Sequence, residues 1–343
     1  MRIALAINGE GFGHAARSAC LARELSREHE VLVWAPRTVL SFLRSELPGM
    51  TFHHIPVLRM AKRRHRILYG RTLLMNARLL AAFPYIVRRT RRQFEQEGIE
   101  AVISDYEPFS SRAALAHRLP VVVFCHQAVL DRVPDYSLPG ITARLLNRFM
   151  IPHRVHHVLS SSFFDGDIGP LIRPELRSPS ERPGNHVLVY GSASIRPQLE
   201  QALQSFSQVD FRVYPRTDGD YLEDFRAARA VIGPSGHQML SEALCLRKPV
   251  LTFPQPGQNE QYLNACMAQK TGLARVGNLE HAALDIRRFL GEVDQMRLNP
   301  ASGRHTFKLH DESALAARRI AALLAGDSHA TPARPDAPAL VPA

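Results

Sequence analysis

Three groups of residues in this chain have the types and spacing to do chemistry. The first is His14, in Asn8-Gly9-Glu10-Gly11-Phe12-Gly13-His14, where a short apolar run passes into a helical pattern. An imidazole in the first turn of a helix sits at the positive end of the dipole, which favours its neutral form. A neutral imidazole can take a proton from a hydroxyl at physiological pH. A capping or packing histidine is the alternative. The second group is Ser104-Asp105-Tyr106-Glu107-Pro108, again at the end of an apolar run. Asp105 is placed to orient His14 and to stabilise its protonated form, as in a hydrolytic triad, or else to cap the helix starting near Pro108. Glu107 is an alternative for the first role or for binding an acceptor. The third group runs from Gly233 to Ala265. Gly236 opens a helix whose free N–H groups favour an anion, and Glu242 lies about two turns further on. Gln258, Asn259, Glu260 and Gln261 follow the next apolar run and suit a polyhydroxylated ligand. The third group therefore suits a diphosphate at one end and a sugar at the other.

These residues need a frame that brings them to one edge. The runs Arg2–Ile7, Val31–Ala35, Thr51–Ile55, Ala101–Ser104 and Val121–Cys125 read as strands. The segments Ala15–Glu28, Val39–Glu46, Thr72–Gln96 and Phe109–His117 read as helices. After a Pro- and Arg-rich loop, Gly169–Asn185, the alternation restarts with strands at Val187–Tyr190, Phe211–Tyr214, Ala230–Gly233 and Val250–Phe253. Near-continuous apolar strands alternating with helices predict an α/β fold with parallel sheets covered on both faces. At 343 residues the chain is long enough for two such domains. The expected division is 1–154 for an acceptor-binding domain, 155–325 for a donor-binding domain and 326–343 for a disordered tail rich in Pro and Ala. Ligands of such sheets bind at the carboxyl ends of the strands. His14, Asp105, His126 and Gln127 share that edge in the first half, and the Gly236 region has it in the second.

Composition narrows the classes. No run of eighteen apolar residues appears, and the amino terminus lacks the form of a signal peptide. The four cysteines are widely spaced without a CxxC pair, which predicts reduced thiols in the cytoplasm and no metal site. The glycines before His14 do not match GxGxxG, so no nucleotide fingerprint is expected there. The net charge of +11 is concentrated: Arg59–Arg92 holds eleven cations and no acid, interleaved with apolar residues. A basic amphipathic segment of this kind can lie on an anionic membrane surface, with a solvated basic helix face as the alternative. Nucleic acid is disfavoured as a partner, since no recognition motif accompanies the patch.

With these residues in place, the chain resembles glycosyltransferases of the GT-B architecture, in which two Rossmann-like domains face each other across a cleft. The Ser-Gly turn, Ser241-Glu242-Ala243-Leu244, Lys248–Pro254 and Asn259–Ala265 are similar, in order and spacing, to the donor signature of nucleotide-diphosphate-sugar transferases. The likeness is to the family 28-like, peptidoglycan GlcNAc-transferase type more than to small-molecule transferases. The latter carry a histidine where this chain has Pro234. The resemblance implies that Ser192, Ser235, Gly236 and His237 hold the diphosphate, Glu242 the ribose, and Glu260 and Gln261 the donor sugar. It also implies a UDP-sugar or related nucleotide-sugar as donor substrate, no cofactor, His14 as base and Asp105 as its partner. Arg196 or Arg216 could supply a cation for the leaving group. The expected reaction is an inverting, metal-independent hexosyl transfer to a hydroxyl acceptor, lipid-linked and met at the inner face of a membrane. Its rivals are a nucleotide-sugar 2-epimerase on the same fold and a non-catalytic protein binding a sugar nucleotide or nucleic acid.

Overall fold

The computed structural model describes residues 1–63, 66–133, 137–296 and 305–327. The strands are β1 (Arg2–Ile7), β2 (Glu30–Ala35), β3 (Thr51–His54), a short hairpin of β4 (Lys62–Arg63) and β5 (Arg66–Ile67), β6 (Ala101–Asp105), β7 (Val121–Cys125) and β8 (His157–Ser160). In the second half they are β9 (Val187–Tyr190), β10 (Phe211–Tyr214), β11 (Ala230–Pro234), β12 (Val250–Phe253) and β13 (Ala274–Val276). The helices are α1 (Phe12–Leu25), α2 (Arg37–Glu46), α3 (Tyr69–Ala81), α4 (Phe83–Gln96), α5 (Pro108–His117) and α6 (Leu138–Met150). They continue with α7 (Arg196–Leu203), α8 (Tyr221–Ala227), α9 (His237–Cys245), α10 (Asn259–Lys270), α11 (Ala282–Glu292) and α12 (Ser313–Leu324).

Two parallel sheets result. The first has the order β3-β2-β1-β6-β7-β8 and the second β10-β9-β11-β12-β13. The central strands of both are buried nearly end to end, as apolar runs covered by helices on both faces require, while the edge strands β3 and β10 are only partly buried. In each sheet three adjacent strands supply the functional edge: β1, β6 and β7 in the first, β9, β11 and β12 in the second.

The structure departs from the sequence reading at several places. The single helix expected over Thr72–Gln96 is two, parted at Ala82. Pro84 has no N–H to continue the ladder and its ring would clash with the carbonyl of Leu80, so a new helix starts there. The sequence pattern predicts no helix at α6, because Pro139-Gly140 resembles a turn; Ser137 instead caps the helix by accepting from the Gly140 N–H. Strand β8 belongs to the first sheet, so that sheet continues past residue 154. Helix α12 also returns to the first domain: Ala316, Ile320 and Leu324 join Leu21, Leu25 and Leu43 in its core. The tail expected at 326–343 lies outside the described residues from 328 onward.

Candidate active site

The first edge is assembled around Asp105. β1 and β6 are in register with Ile7 beside Asp105, and the loop after β1 leads into α1, which carries His14. Asn8 ties the two loops together through its backbone N–H to the Asp105 carbonyl and its amide to the Tyr106 carbonyl. Tyr106 adopts φ 54°, a left-handed conformation that costs a non-glycine residue energy and is characteristic of functional turns. It lies between Asp105 and Glu107 and sends their carboxylates different ways. The His14 Nδ1–H donates to Asp105 Oδ1 at 2.9 Å, which leaves Nε2 as the basic nitrogen. Arg17 donates to the same carboxylate oxygen, and Ser18 Oγ donates to Oδ2 at 2.8 Å. Burial works to raise the Asp105 pKa; Arg17 and then His14 outweigh it and hold the carboxyl below its usual range.

Arg17 and Ser18 were missed by sequence reasoning, although a signal existed. They follow His14 by three and four residues, so on a helix they share its face. Glu107, offered above as an alternative partner, is the buried N-cap of α5 and accepts from the N–H groups of Phe109 and Ser110. The cap expected of Asp105 is thus made by Glu107, whose own pKa burial pushes up to about 7.

The second edge faces the first across short distances. Gln127, just beyond β7, donates through Nε2 to Glu260 Oε2 at 3.0 Å, and the same nitrogen lies 3.4 Å from His14 Nε2. His126 stacks on His237 with ring centroids 3.8 Å apart, its Nε2 2.8 Å from Asn264 Oδ1 and its Nδ1 3.2 Å from the Ser161 carbonyl. Burial pushes His126 down to about 4, and His237 is held well below its ordinary value by burial first and by the nearby Arg17 guanidinium.

The residues expected to hold the donor occupy different situations. Gly236 is the N-cap of α9 with no side-chain cap, and a Cβ added to it would meet nothing within 4 Å. Its φ of −68° is open to any residue, so the glycine keeps space clear and does not serve a special backbone angle. The Ser235 hydroxyl bonds to Thr252 at 2.8 Å and is fully buried. Ser192 contacts Ser194, and Gln255 reaches both serines across the end of β11. The Gln261 side chain accepts from the Gln255 N–H. Glu242 is 1% exposed and engaged: Arg173 Nε and Nη2 each donate to its carboxylate at 2.8 Å, and Gln238 donates at 2.9 Å. Contact between Glu242 and a ribose therefore requires that pair to open. Arg173 was missed because it comes from the interdomain loop, 69 residues away, where no periodicity marks it. Arg196 and Arg216 are both spent locally, on Glu200 and the Pro215 carbonyl and on Asp218 and Asp224.

Several buried polar atoms without a partner gather on these facing edges: Arg17 Nε, Gln127 Oε1, His237 Nδ1 and Gln255 Oε1.

Residues 1–294 match the family model Glycosyl transferase family 1. The chain belongs to this family. An uncharacterized glycosyltransferase of Methanosarcina mazei is 25% identical over 337 residues, covering 80% of this chain and 85% of the relative. Among solved structures, the spinosyn rhamnosyltransferase SpnG complexed with thymidine diphosphate aligns with a TM-score of 0.55 at 14% identity, over 96% of each chain. MurG of Acinetobacter baumannii aligns with a TM-score of 0.50 at 15% identity, covering 86% of this chain and 91% of that one. The two sheets are those of a GT-B glycosyltransferase, and the facing edges described above lie where that architecture has its cleft. Among the described residues no helix is long and apolar enough to cross a membrane.

Proposed function

We propose that this glycosyltransferase moves a sugar from a nucleotide-diphosphate donor to a hydroxyl acceptor by single inverting displacement, with His14 as general base. The observation that carries this is the His14–Asp105 pair: Nδ1 is fixed on a buried carboxylate, and Nε2 lies 3.4 Å from the Gln127 amide that bonds Glu260 of the second domain. The acceptor hydroxyl loses its proton to Nε2 as its oxygen attacks the anomeric carbon. Asp105 then stabilises the imidazolium. On the opposite edge the open space before Gly236 receives the diphosphate, and the N–H groups at the start of α9 stabilise its developing charge without a metal. Ser192 and the backbone around Ser235 and His237 complete that cradle, while Glu260 and Gln261 take the sugar. In this reading the donor is UDP-linked, with thymidine diphosphate as the comparison to run beside it. His14→Ala should lower kcat about 10²–10⁴-fold with diphosphate affinity retained by calorimetry. Turnover within a few-fold of the parent would remove His14 from the chemistry.

The acceptor side is also proposed to meet an anionic membrane from the cytoplasmic face, with a lipid-linked acceptor. Large apolar side chains stand exposed on the helices around it: Leu73, Leu74 and Met75 on α3, Tyr85 on α4, and Ile141, Leu145 and Phe149 on α6. The Phe83–Phe149 ring contact joins α4 to α6, so these helices form one region, which Arg71, Arg78, Arg88 and Arg148 flank. Apolar side chains beside cations match a bilayer with acidic headgroups. Vesicles containing phosphatidylserine should sediment the protein at low salt and release much of it at high salt. Equal binding to neutral vesicles would reject the electrostatic part.

A further inference from the structure

We propose that Gln127, a residue of the acceptor domain, reads a hydroxyl of the donor sugar and so makes sugar recognition a property of both domains. This rests on the donor-site reading given above.

The residue is 7% exposed, and its place is fixed from behind: Asn147 of α6 donates to its backbone carbonyl at 2.9 Å. Its amide nitrogen donates to Glu260 Oε2 at 3.0 Å, across the interdomain boundary. Its amide oxygen is buried and has no partner. Turning the amide over does not cure this, because the oxygen would then face the Glu260 carboxylate, and two acceptors repel. The orphan is therefore an acceptor, held in one orientation, and it calls for an O–H or N–H donor. An ionised diphosphate offers neither. A sugar offers several hydroxyls, and beside Gln127 the carboxylate of Glu260 is a second acceptor. The unpartnered amide oxygen and the carboxylate bonded to the same amide's nitrogen form a pair of acceptors suited to neighbouring hydroxyls on one ring. The amide nitrogen's position 3.4 Å from His14 Nε2 places that ring next to the base, as displacement at its anomeric carbon requires.

A site read in this way predicts that Gln127 contributes to affinity for the sugar and nothing to affinity for the nucleotide. The full-length chain is titrated by calorimetry with UDP, UDP-glucose, dTDP and dTDP-glucose, as parent, Gln127→Leu and Gln127→Asn. In the parent, a sugar conjugate binds more tightly than its bare diphosphate. Gln127→Leu reduces that advantage about five- to tenfold, while the bare diphosphate keeps its Kd. Gln127→Asn retains an amide but cannot reach, and it shows the same selective loss if the leucine variant does not fold. An unchanged sugar advantage in a folded variant overturns the assignment, and so does an equal loss for conjugate and bare diphosphate, which is the mark of a structural role. A variant that keeps the sugar advantage but raises the KM of the acceptor also overturns it and moves Gln127 to the acceptor pocket. Failure of the parent to bind either diphosphate is the distinct outcome that removes the donor reading itself.

Discussion

In the first sheet, the strands β1, β6 and β7 end in side chains already bonded to one another. His14, Asp105, Arg17 and Ser18 make a connected polar set around one carboxylate, with Arg17 Nε alone left unpartnered, before any substrate arrives. In the second sheet, β9, β11 and β12 end in a helix start with no cap, a vacant space before Gly236, and a carboxylate held by a residue from the interdomain loop. The same fold thus carries a preassembled edge and an edge that a ligand must finish. Chemistry needs the first kind, because a base displaced by an ångström loses much of its effect. Binding a long anionic donor suits the second, because backbone N–H groups and small residues leave room for it.

The largest expected effect tests the preassembled edge. Asp105→Asn keeps the shape but removes the charge that holds the His14 tautomer, so kcat should fall about 10²–10⁴-fold. Diphosphate affinity, measured by calorimetry, should stay as in the parent. If affinity falls with turnover, the two edges are not separable as drawn. A smaller, structural effect tests the other edge. Glu242→Ala leaves the Arg173 guanidinium buried without its partner and should cost about 3–5 kcal/mol of stability in chemical denaturation. A loss near zero would mean that the pair is free to open and that Glu242 is a ligand-binding group first.

The smallest effect contrasts two carboxylates on one turn. Asp105 has a depressed pKa, so its contribution is present above the unfolded value and is lost as pH falls through the folded one. Glu107 is raised from 4.5 to about 7 by burial, so its contribution has the opposite sign. It is fully present below the unfolded value and is lost as pH rises towards 7. Between those values the parent should lose melting temperature with rising pH, and Glu107→Gln should flatten that slope. A slope that persists in the variant assigns it to other groups.

How far this was legible in the sequence depends on locality. His14, Asp105 and Gly236 each stand where an apolar run meets a helix, and the parallel sheet fixes which end of a strand that is. Their places at strand ends therefore follow from pattern. Arg17 and Ser18 were readable by helical spacing once His14 was chosen. Arg173 was not, because its partner is reached only when the interdomain loop packs against α9, and a loop has no period. Helix α6 was hidden by Pro139-Gly140, which are turn residues unless they occupy the first turn of a helix. Glu107 remains an alternative to Asp105 in the sequence, because two carboxylates two residues apart look interchangeable until the left-handed Tyr106 separates them.

Helix α12 has a consequence for building hybrids of this enzyme. Because the chain leaves the second sheet and closes against α1, the second half is an insertion between two parts of the first. A graft that takes another transferase's donor half as a simple carboxyl-terminal replacement would discard the last piece of its host's core and expose Leu21 and Leu25 on α1. Two junctions are needed, one ahead of β9 and one after α11, with α12 kept from the host. A library of specificities made on this scaffold is therefore a set of cassettes with two ends, not a set of tails.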